Sequence, residues 1–246
     1  MEFLVCISKS PDTTTKISFT EGGESFDESG VQFIINPYDE WYALVRAIEL
    51  VEKSGGSVTT VTVGEADCDP IIRKALAIGA HKAIRVNAAP MDAMQVAAEL
   101  AAVAKSGAYD AVLCGKETIN HNGGIVPGML AEMLDLPLVT WATSLDYEDG
   151  KAVMQRDTVN GIEKVSVDGP YVLSASKGMS EQRIPNMRGI MGARSKPLDV
   201  VESCGAQATT SVASFALPPA KSGVKLVDAD NPAELIRLLR EEAKAI

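Results

Sequence analysis

Short apolar runs alternate with amphipathic segments along the first half of the chain. Runs such as residues 3–7 and 111–114 are continuously apolar, which is typical of strands buried on both faces. Segments between them carry apolar residues at helical spacing. Strands are predicted at 3–7, 31–35, 58–63, 83–86 and 111–114, and helices at 38–52, 69–80, 92–105 and 126–134. This alternation predicts an α/β fold with a doubly wound, mostly parallel sheet and helices on both faces.

The pattern changes after the helix at 126–134. Segments 140–145, 151–157 and 163–167 are separated by turn residues, which predicts a small antiparallel meander. One more apolar strand is predicted at 171–175, followed by an irregular basic segment at 177–197. We therefore expect an α/β domain over 1–202. Residues 203–246 are then an extended C-terminal arm with a final helix at 233–245.

Local signals mark the helix at 38–52. Asn36 is predicted to be its N-cap, with Pro37 in the first turn. Residues 10–30 are rich in Ser, Thr, Gly, Asp and Glu, so loops are expected there, with room for an edge hairpin.

The composition narrows the class of protein. The net charge of −10 disfavours binding to nucleic acid or to anionic membranes. No stretch approaches the roughly 18 apolar residues of a membrane helix, and the N-terminus is typical of a first strand rather than a secretory signal. The four cysteines are scattered singly, so neither a metal site nor a disulfide framework is predicted. A cytoplasmic protein without direct membrane insertion is expected.

Loops at the carboxyl ends of the predicted strands are the first candidates for a site. In an open α/β sheet, ligands bind beyond these ends, where the connections reverse direction. Four loops leave such ends, at 6–10, 36–39, 63–66 and 115–126. If their strands are neighbours, the loops meet at one crevice.

The loop at 115–126 is the most suggestive of the four. Its glycines would let a ligand approach the backbone, Lys116 adds a positive charge, and a helix N-terminus near Val126 favours an anion. The sequence GKETINHNGG matches neither the dinucleotide-binding fingerprint nor the P-loop. A solvated loop after a strand is therefore the ordinary alternative.

No catalytic set is recognisable. His121 is a candidate general base by residue type, but no nucleophile or paired acid accompanies it, so a hydrogen-bonding or surface role is the alternative. Arg156 and Asp157 could serve an active site, or form a structural or interface ion pair. The basic segment lacks interleaved aromatic residues, which favours protein docking over nucleic-acid binding.

Several segments together resemble the β subunit of electron transfer flavoprotein. They are LVCISKS, INPYDEWYALVRAIEL, VTTVTVGEADCDPIIRKALAIGAHKAIRV, DAVLCGKETINHNGGIVPGMLAEMLDLP, VMQRDTVNGIEKV and SEQRIPNMRGIMGARSKPLDVV. The order and spacing of these segments carry the resemblance, which covers residues 1–202.

The resemblance implies a non-catalytic electron carrier. This chain would form a heterodimer with a larger α subunit that carries the redox-active FAD, and would bind AMP itself. The pair would accept electrons from flavin dehydrogenases such as acyl-CoA dehydrogenases, as in fatty acid oxidation, and pass them through a quinone-linked oxidoreductase to the quinone pool.

The resemblance also implies roles for individual residues. Arg156 and Asp157 would lie near the α-subunit FAD. The C-terminal arm would pack on the α subunit, and the partner-docking residues would be Ile184, Met187, Arg188, Ile190 and Met191. The nucleotide contacts would be Cys6, Asn36, Pro37, Tyr38, Asp39, Val63, Gly115, Lys116, Glu117, Thr118, Ile119, Asn120, His121, Asn122, Gly123, Gly124, Ile125 and Val126.

The loop departs from the family pattern, in which aspartates and a glutamine are common. Asn120 and Asn122 stand in this region, so the loop repels a phosphate less. Two alternatives stay open beside AMP binding. One is an electron-bifurcating subunit that binds a second FAD, with NADH as the donor. The other is a stand-alone adenine-nucleotide sensor or hydrolase.

Overall fold

The fold is built on a large twisted sheet flanked by helices. A computed structural model describes residues 1–221 and 223–246. The strands are β1 (Glu2–Cys6), β2 (Lys9–Pro11), β3 (Phe33–Ile35), β4 (Ser57–Val63), β5 (Lys82–Asn87), β6 (Ala111–Gly115), β7 (Leu138–Glu148), β8 (Lys151–Thr158), β9 (Gly161–Val167), β10 (Tyr171–Ala175) and β11 (Leu198–Glu202). The helices are α1 (Asp39–Ser54), α2 (Asp69–Ile78), α3 (Ala93–Lys105), α4 (Val126–Leu134), α5 (Met187–Ala193) and α6 (Pro232–Glu241).

The strand order confirms the predicted fold class. The nine-stranded sheet runs β11-β5-β4-β1-β6-β10-β7-β8-β9. The pairs from β11 to β7 are all parallel, whereas β7, β8 and β9 form the predicted antiparallel meander. A separate antiparallel pair joins β2 to β3.

Apolar layers cover both faces of the sheet. Successive residues of a strand point to opposite faces, and Phe3 and Leu4 of the central strand β1 accordingly enter two different hydrophobic clusters. The Phe3 cluster contains α1 and α2, and the Leu4 cluster contains α3 and α4. Burial on both faces explains why this strand is continuously apolar.

The chain divides into two compact units. The larger comprises residues 1–17 and 27–213, and the smaller comprises 18–26 and 214–246. In the smaller unit, the Phe19 and Phe215 rings stack with their centroids 5.1 Å apart. Helix α6 also belongs to it, and the side chain of Asn231 accepts a hydrogen bond from the Glu234 amide as its N-cap. The packing of this part on a partner stays a prediction.

The segment predicted to be irregular, 177–197, contains a helix, and an unpredicted strand follows it. Residues 187–193 form the short helix α5, and β11 follows it at the edge of the sheet. The side chain of Arg73 on α2 donates to the carbonyls of Ala193 and Lys196, at 2.8 and 2.7 Å. The ammonium group of Lys196 donates in turn to the carbonyls of Leu76 and Ala80, at 2.8 and 2.6 Å. These contacts join residues far apart in sequence, so local patterning did not reveal them.

Within the described residues, none of the helices is both long enough and apolar enough to cross a membrane.

Gly189 sets the distance between α5 and α2. A Cβ atom at this position would lie 2.4 Å from the backbone oxygen of Ala77, whereas one at Gly192 would meet nothing within 4 Å. We expect Gly189→Ala to destabilise the packing of α5 by about 1–3 kcal/mol because backbone must move. Urea unfolding, together with amide hydrogen exchange of α5, measures this effect.

The matched control is Gly192→Ala in the same helix. It should be neutral or stabilise the helix by up to about 1 kcal/mol, since alanine is the better helix former. Equal stability and equal exchange for both variants would contradict a close α5–α2 contact.

Candidate functional site

The sheet changes winding direction beside β1. The chain runs outward from β1 to β4 and β5, then returns through α3 to β6 on the other side of β1. The carboxyl ends of β1 and β6 therefore border a topological switch point, where α/β sheets bind their ligands. The loop after β1 and the loop after β6 both contact residues around the start of α1 here, and a single ligand site formed by all four predicted loops stays a prediction.

The buried Glu40 joins the loop after β1 to the start of α1. Its side chain is 6% exposed. The carboxylate accepts a hydrogen bond from the Ser8 amide at 2.7 Å and from the Ser8 hydroxyl at 2.9 Å. Gly115, the last residue of β6, leaves room for this arrangement, because a Cβ atom there would lie 2.8 Å from the Glu40 amide nitrogen.

Asn36 has a different role from the predicted one. Helix α1 begins at Asp39 with Tyr38 as its N-cap, so the prediction that Asn36 caps this helix was wrong. The fully buried Asn36 side chain instead donates to the carbonyl of Glu117 at 3.2 Å and accepts from the Ile119 amide at 3.0 Å. It thereby fixes the loop after β6 against the loop before α1.

A first cavity of about 290 Å³ opens between these two loops. Its walls combine aromatic, acidic and basic side chains with the backbone of the loop after β6. They are formed by Pro37, Tyr38, Asp39, Tyr42, Lys116, Glu117, Ile119, Asn122 and Lys177. The Lys116 ammonium lies 3.1 Å from the Glu117 carboxylate, which orients the cation at the cavity wall.

A second cavity of about 470 Å³ is lined by residues of the same loop. It shares Lys116 and Glu117 with the first cavity and is otherwise lined by Gly123, Gly124, Trp141, Asp157 and Ser176. Trp141 was not recognised from the sequence, where it reads as one residue of a strand. The signal that could have revealed it is a large aromatic residue within a run of small and β-branched residues.

Unusual backbone conformations concentrate at the two cavities. Six non-glycine residues have a positive φ in the described part of the chain, and three of them line these cavities. They are Tyr38 at 66°, Asn122 at 48° and Trp141 at 57°. Bulky residues rarely adopt this region, and retained backbone strain is characteristic of functional sites.

Burial controls the charge of the two acids at the start of α1. Loss of solvation raises the pKa of Glu40 to about 8, and the hydrogen bonds from Ser8 only partly oppose this. Burial likewise raises the pKa of Asp39, with Lys116 acting in the opposite direction. Glu40 is therefore a largely protonated structural group near neutral pH, while Asp39 faces the cavity.

Two predicted nucleotide contacts, Cys6 and Val63, line neither cavity. Cys6 and Val63 end β1 and β4, and both are buried in the cluster packed against α3 and α4. A hydrogen bond with Cys114, followed by burial, raises the pKa of Cys6 well above its usual range. The Cys6 side chain is thus a neutral thiol within this buried cluster.

The last part of the loop leads into α4. Gly124 has a φ of 63°, which favours glycine, and no acidic residue stands in the first turn of α4. No side chain in the described ranges caps the N-terminus of α4. Its free amides are therefore suited to an anion. Asn120, His121 and Ile125 are exposed on the loop, while Thr118 and Val126 are half-buried.

Comparison with known proteins identifies the family of the chain. The model of the electron transfer flavoprotein domain matches residues 24–205. The electron transfer flavoprotein subunit beta of Bacillus subtilis is 35% identical over 100% of both chains. The chain belongs to the electron transfer flavoprotein β-subunit family.

Two further relatives cover nearly the whole chain. The electron transfer flavoprotein subunit beta of Syntrophomonas wolfei is 34% identical over 93% of this chain and 90% of its own. Subunit CarD of the caffeyl-CoA reductase-Etf complex of Acetobacterium woodii is 30% identical over 92% of each chain. The expected family is thus confirmed.

The family's arginine–acid pair is not an ion pair in this chain. Arg156 and Asp157 are successive residues of β8, so their side chains point to opposite faces of the meander. Arg156 lies 3.6 Å from Glu163 on the neighbouring strand, whereas Asp157 lines the second cavity. Only Asp157 is therefore available to the crevice, and a role near a flavin stays a prediction.

The predicted docking residues form an exposed apolar surface around α5. Ile184, Met187 and Met191 are 79%, 71% and 70% exposed, and Ile190 and Arg188 are also exposed. The segment behind this surface is held firmly. Arg183 forms a two-fold salt bridge with Glu52 at 3.0 and 2.8 Å, and Asn186 caps α5 through the Gly189 amide at 2.9 Å.

Glu40 predicts a pH dependence of stability. Its pKa is about 8 in the folded protein, whereas an unfolded glutamate titrates near roughly 4.3. Between these values the unfolded chain has released this proton and the folded chain has kept it. The Glu40 contribution to the free energy of unfolding is therefore greatest at low pH and falls as pH rises towards 8.

The variant Glu40→Gln should remove this contribution, since glutamine keeps an acceptor for the Ser8 amide but does not ionise. We expect its unfolding free energy to decline less than that of the wild type between pH 5 and 8, measured by urea denaturation. Glu132→Gln, at an exposed position of α4, is the control and should leave the pH profile unchanged. If the unfolding free energies of the wild type and Glu40→Gln fall in parallel with pH, Glu40 does not keep its proton in the folded protein.

Proposed function

We propose that this chain is an electron-carrier subunit, not an enzyme by itself, that holds an adenine nucleotide in the first cavity. It pairs with a larger α subunit that carries the redox-active FAD. The heterodimer accepts electrons from flavin dehydrogenases such as acyl-CoA dehydrogenases, and passes them to a quinone-linked oxidoreductase in the cytoplasm. The observation that carries the nucleotide proposal is the first cavity, placed at the switch point of the sheet.

The first cavity suits the nucleoside part of the ligand. Its volume of about 290 Å³ lies at the lower end of small-molecule pockets, which span roughly 300–1,000 Å³. Tyr38 is 57% exposed at its rim, so its ring is free to stack on an adenine. Asp39 supplies a carboxylate to accept hydrogen bonds from ribose hydroxyls.

The phosphate is better placed at α4 than at α1. The first turn of α1 contains the acidic side chain of Asp39 beside the cavity, which disfavours an anion, whereas the first turn of α4 has no acid. The Gly123–Gly124 segment leads directly into α4, and the cations Lys116 and Lys177 line the first cavity. An AMP would therefore extend from Tyr38 towards the N-terminus of α4.

The remaining surfaces suit partner binding. The apolar residues around α5 are exposed on a well-anchored support, which favours docking of a dehydrogenase. In the smaller unit, Leu235 and Ile236 of α6 are each 48% exposed, so this amphipathic helix is suited to packing on the α subunit. Asp157 in the second cavity is suited to the vicinity of the α-subunit FAD.

A second candidate function is that of an electron-bifurcating subunit with FAD in this chain and NADH as the donor. Two observations favour it. Lys116 and Glu117 line both cavities, so a ligand longer than AMP would contact residues of both. A relative of similar length, CarD, is named as a subunit of a caffeyl-CoA reductase-Etf complex.

Co-expression with an α subunit tests the proposed function. We expect a yellow heterodimer whose extracted nucleotides are one FAD and one AMP, separated by chromatography. Two FAD and no AMP would establish the second candidate. A colourless chain that stays apart from the α subunit, or that hydrolyses ATP alone, would refute both.

Gly124 tests the position of the phosphate. Gly124→Ala forces a side chain into a left-handed conformation, at a cost of about 1–2 kcal/mol. We expect AMP to bind about tenfold more weakly, measured by calorimetry on the heterodimer. Gly150→Ala is the matched control, because it imposes the same left-handed strain in the turn between β7 and β8, where a Cβ atom meets nothing within 4 Å. Equal AMP affinity for both variants would place the phosphate elsewhere.

Met187 tests the docking surface. Met187→Ala removes an exposed apolar side chain, and we expect reduction of the heterodimer by an acyl-CoA dehydrogenase to slow by about tenfold at limiting concentration. Flavin and AMP content should stay unchanged. Met91→Ala, at a methionine that is 62% exposed before α3, is the control and should leave the rate unaltered. Loss of flavin from Met187→Ala would show that the docking assignment is wrong.

A further inference from the structure

The backbone of β7 is bent around Trp141. The three residue steps of β7 from Val139 to Ala142 pair with only two steps of β10, from Leu173 to Ala175, and the register against β8 shifts again after Ala142. Such bulges redirect side chains and are frequent beside active sites. Trp141 itself has a φ of 57°, and its amide donates to the hydroxyl of the buried Ser174 at 3.0 Å.

The bend presents the indole ring to the second cavity. Trp141 is 51% exposed although its strand neighbours Val139 and Ala142 are buried. An exposed tryptophan on a strained, specifically hydrogen-bonded backbone is costly unless its ring has a use. The same cavity is lined by Gly123 and Gly124, which carry no side chains to fill it.

The other groups of the cavity define the chemistry of a ring that stacks on Trp141. Asp157 provides a carboxylate acceptor for ring N–H groups, and Lys116 provides a donor for ring carbonyls. A planar heteroaromatic ring with both kinds of group along one edge satisfies this combination. Adenine lacks the carbonyls, whereas the isoalloxazine ring of a flavin has both.

We propose that Trp141 is a stacking platform for an isoalloxazine ring in the second cavity. This rests on the proposed function, which supplies the flavin. The ring has two possible sources: the FAD of the α subunit, or an FAD bound in this chain with its adenosine part in the first cavity. Trp141 is a ring-binding residue in both cases.

The experiment has two arms that separate these sources. In the first, the isolated chain is titrated with FAD and with AMP. In the second, the flavin fluorescence of the heterodimer is measured. Both arms compare the wild type with Trp141→Gly and Trp141→Phe, because a stacked indole quenches flavin emission. A Trp41→Phe background leaves Trp141 as the single tryptophan, so that its own emission is also followed.

The choice of variants separates stacking from folding. Trp141→Gly removes the ring and suits the positive φ, so this variant should unfold at no lower urea concentration than the wild type. Trp141→Phe keeps an aromatic face and should preserve most of the effect. A change in flavin properties in a glycine variant of undiminished stability therefore reports the ring.

If the α subunit supplies the flavin, heterodimer emission rises severalfold in Trp141→Gly, and the isolated chain binds FAD and AMP equally. If this chain binds FAD, the isolated wild type prefers FAD over AMP by about tenfold, as base–aromatic stacking implies, and Trp141→Gly loses this preference. Unchanged emission in the heterodimer together with equal FAD and AMP affinities would overturn the proposal.

Failure of the proposed function gives a different pattern. If no heterodimer forms, the proposed function fails. The titration of the isolated chain with FAD and AMP is then the only test of the stacking platform. A preference for FAD that depends on Trp141, with quenching of its emission, still supports the stacking platform. An isolated chain that binds no FAD, or binds it independently of Trp141, overturns the stacking platform as well.

Discussion

Asn36 and Glu40 are buried polar side chains that must find hydrogen-bond partners inside the protein, and the candidate site depends on how they do so. Asn36 binds the backbone of Glu117 and Ile119, while Glu40 binds Ser8. A buried polar group without a partner costs roughly 1–3 kcal/mol, so each loop is held where it satisfies these groups. Two residues near the start of α1 thereby fix the walls of the first cavity.

The two cavities have the same kind of aromatic wall. Each places an exposed aromatic residue, Tyr38 or Trp141, on a backbone of positive φ. Lys116 and Glu117 line both cavities, so a ligand bound in one cavity contacts residues that also line the other. Strained aromatic walls are retained where the surrounding structure is rigid, and here the parallel sheet buried on both faces provides that rigidity.

The segment that contains the predicted docking residues, 183–196, is hydrogen-bonded to the protein on one side and exposed on the other. Its inner side uses the guanidinium of Arg73 and the ammonium of Lys196, both donating to backbone carbonyls. Two of its basic residues, Arg183 and Lys196, are thus engaged in the protein's own structure. The outward surface is mainly apolar, and the Met187 side chain on it is 71% exposed. Such a surface suits contact with proteins more than with polyanions.

The sequence predicted the alternation of strands and helices and the meander, because hydrophobic periodicity and turn residues are local, and the order and spacing of its motif segments indicated the family. It did not determine α5, β11, the role of Asn36 or the exposure of Trp141. Each of these follows from contacts between distant segments: Arg73 with residues near 195, Asn36 with the loop after β6, and Trp141 with Ser174 on β10. A local sequence pattern does not identify such distant partners, so the side chains that face the cavities are known only from the folded chain.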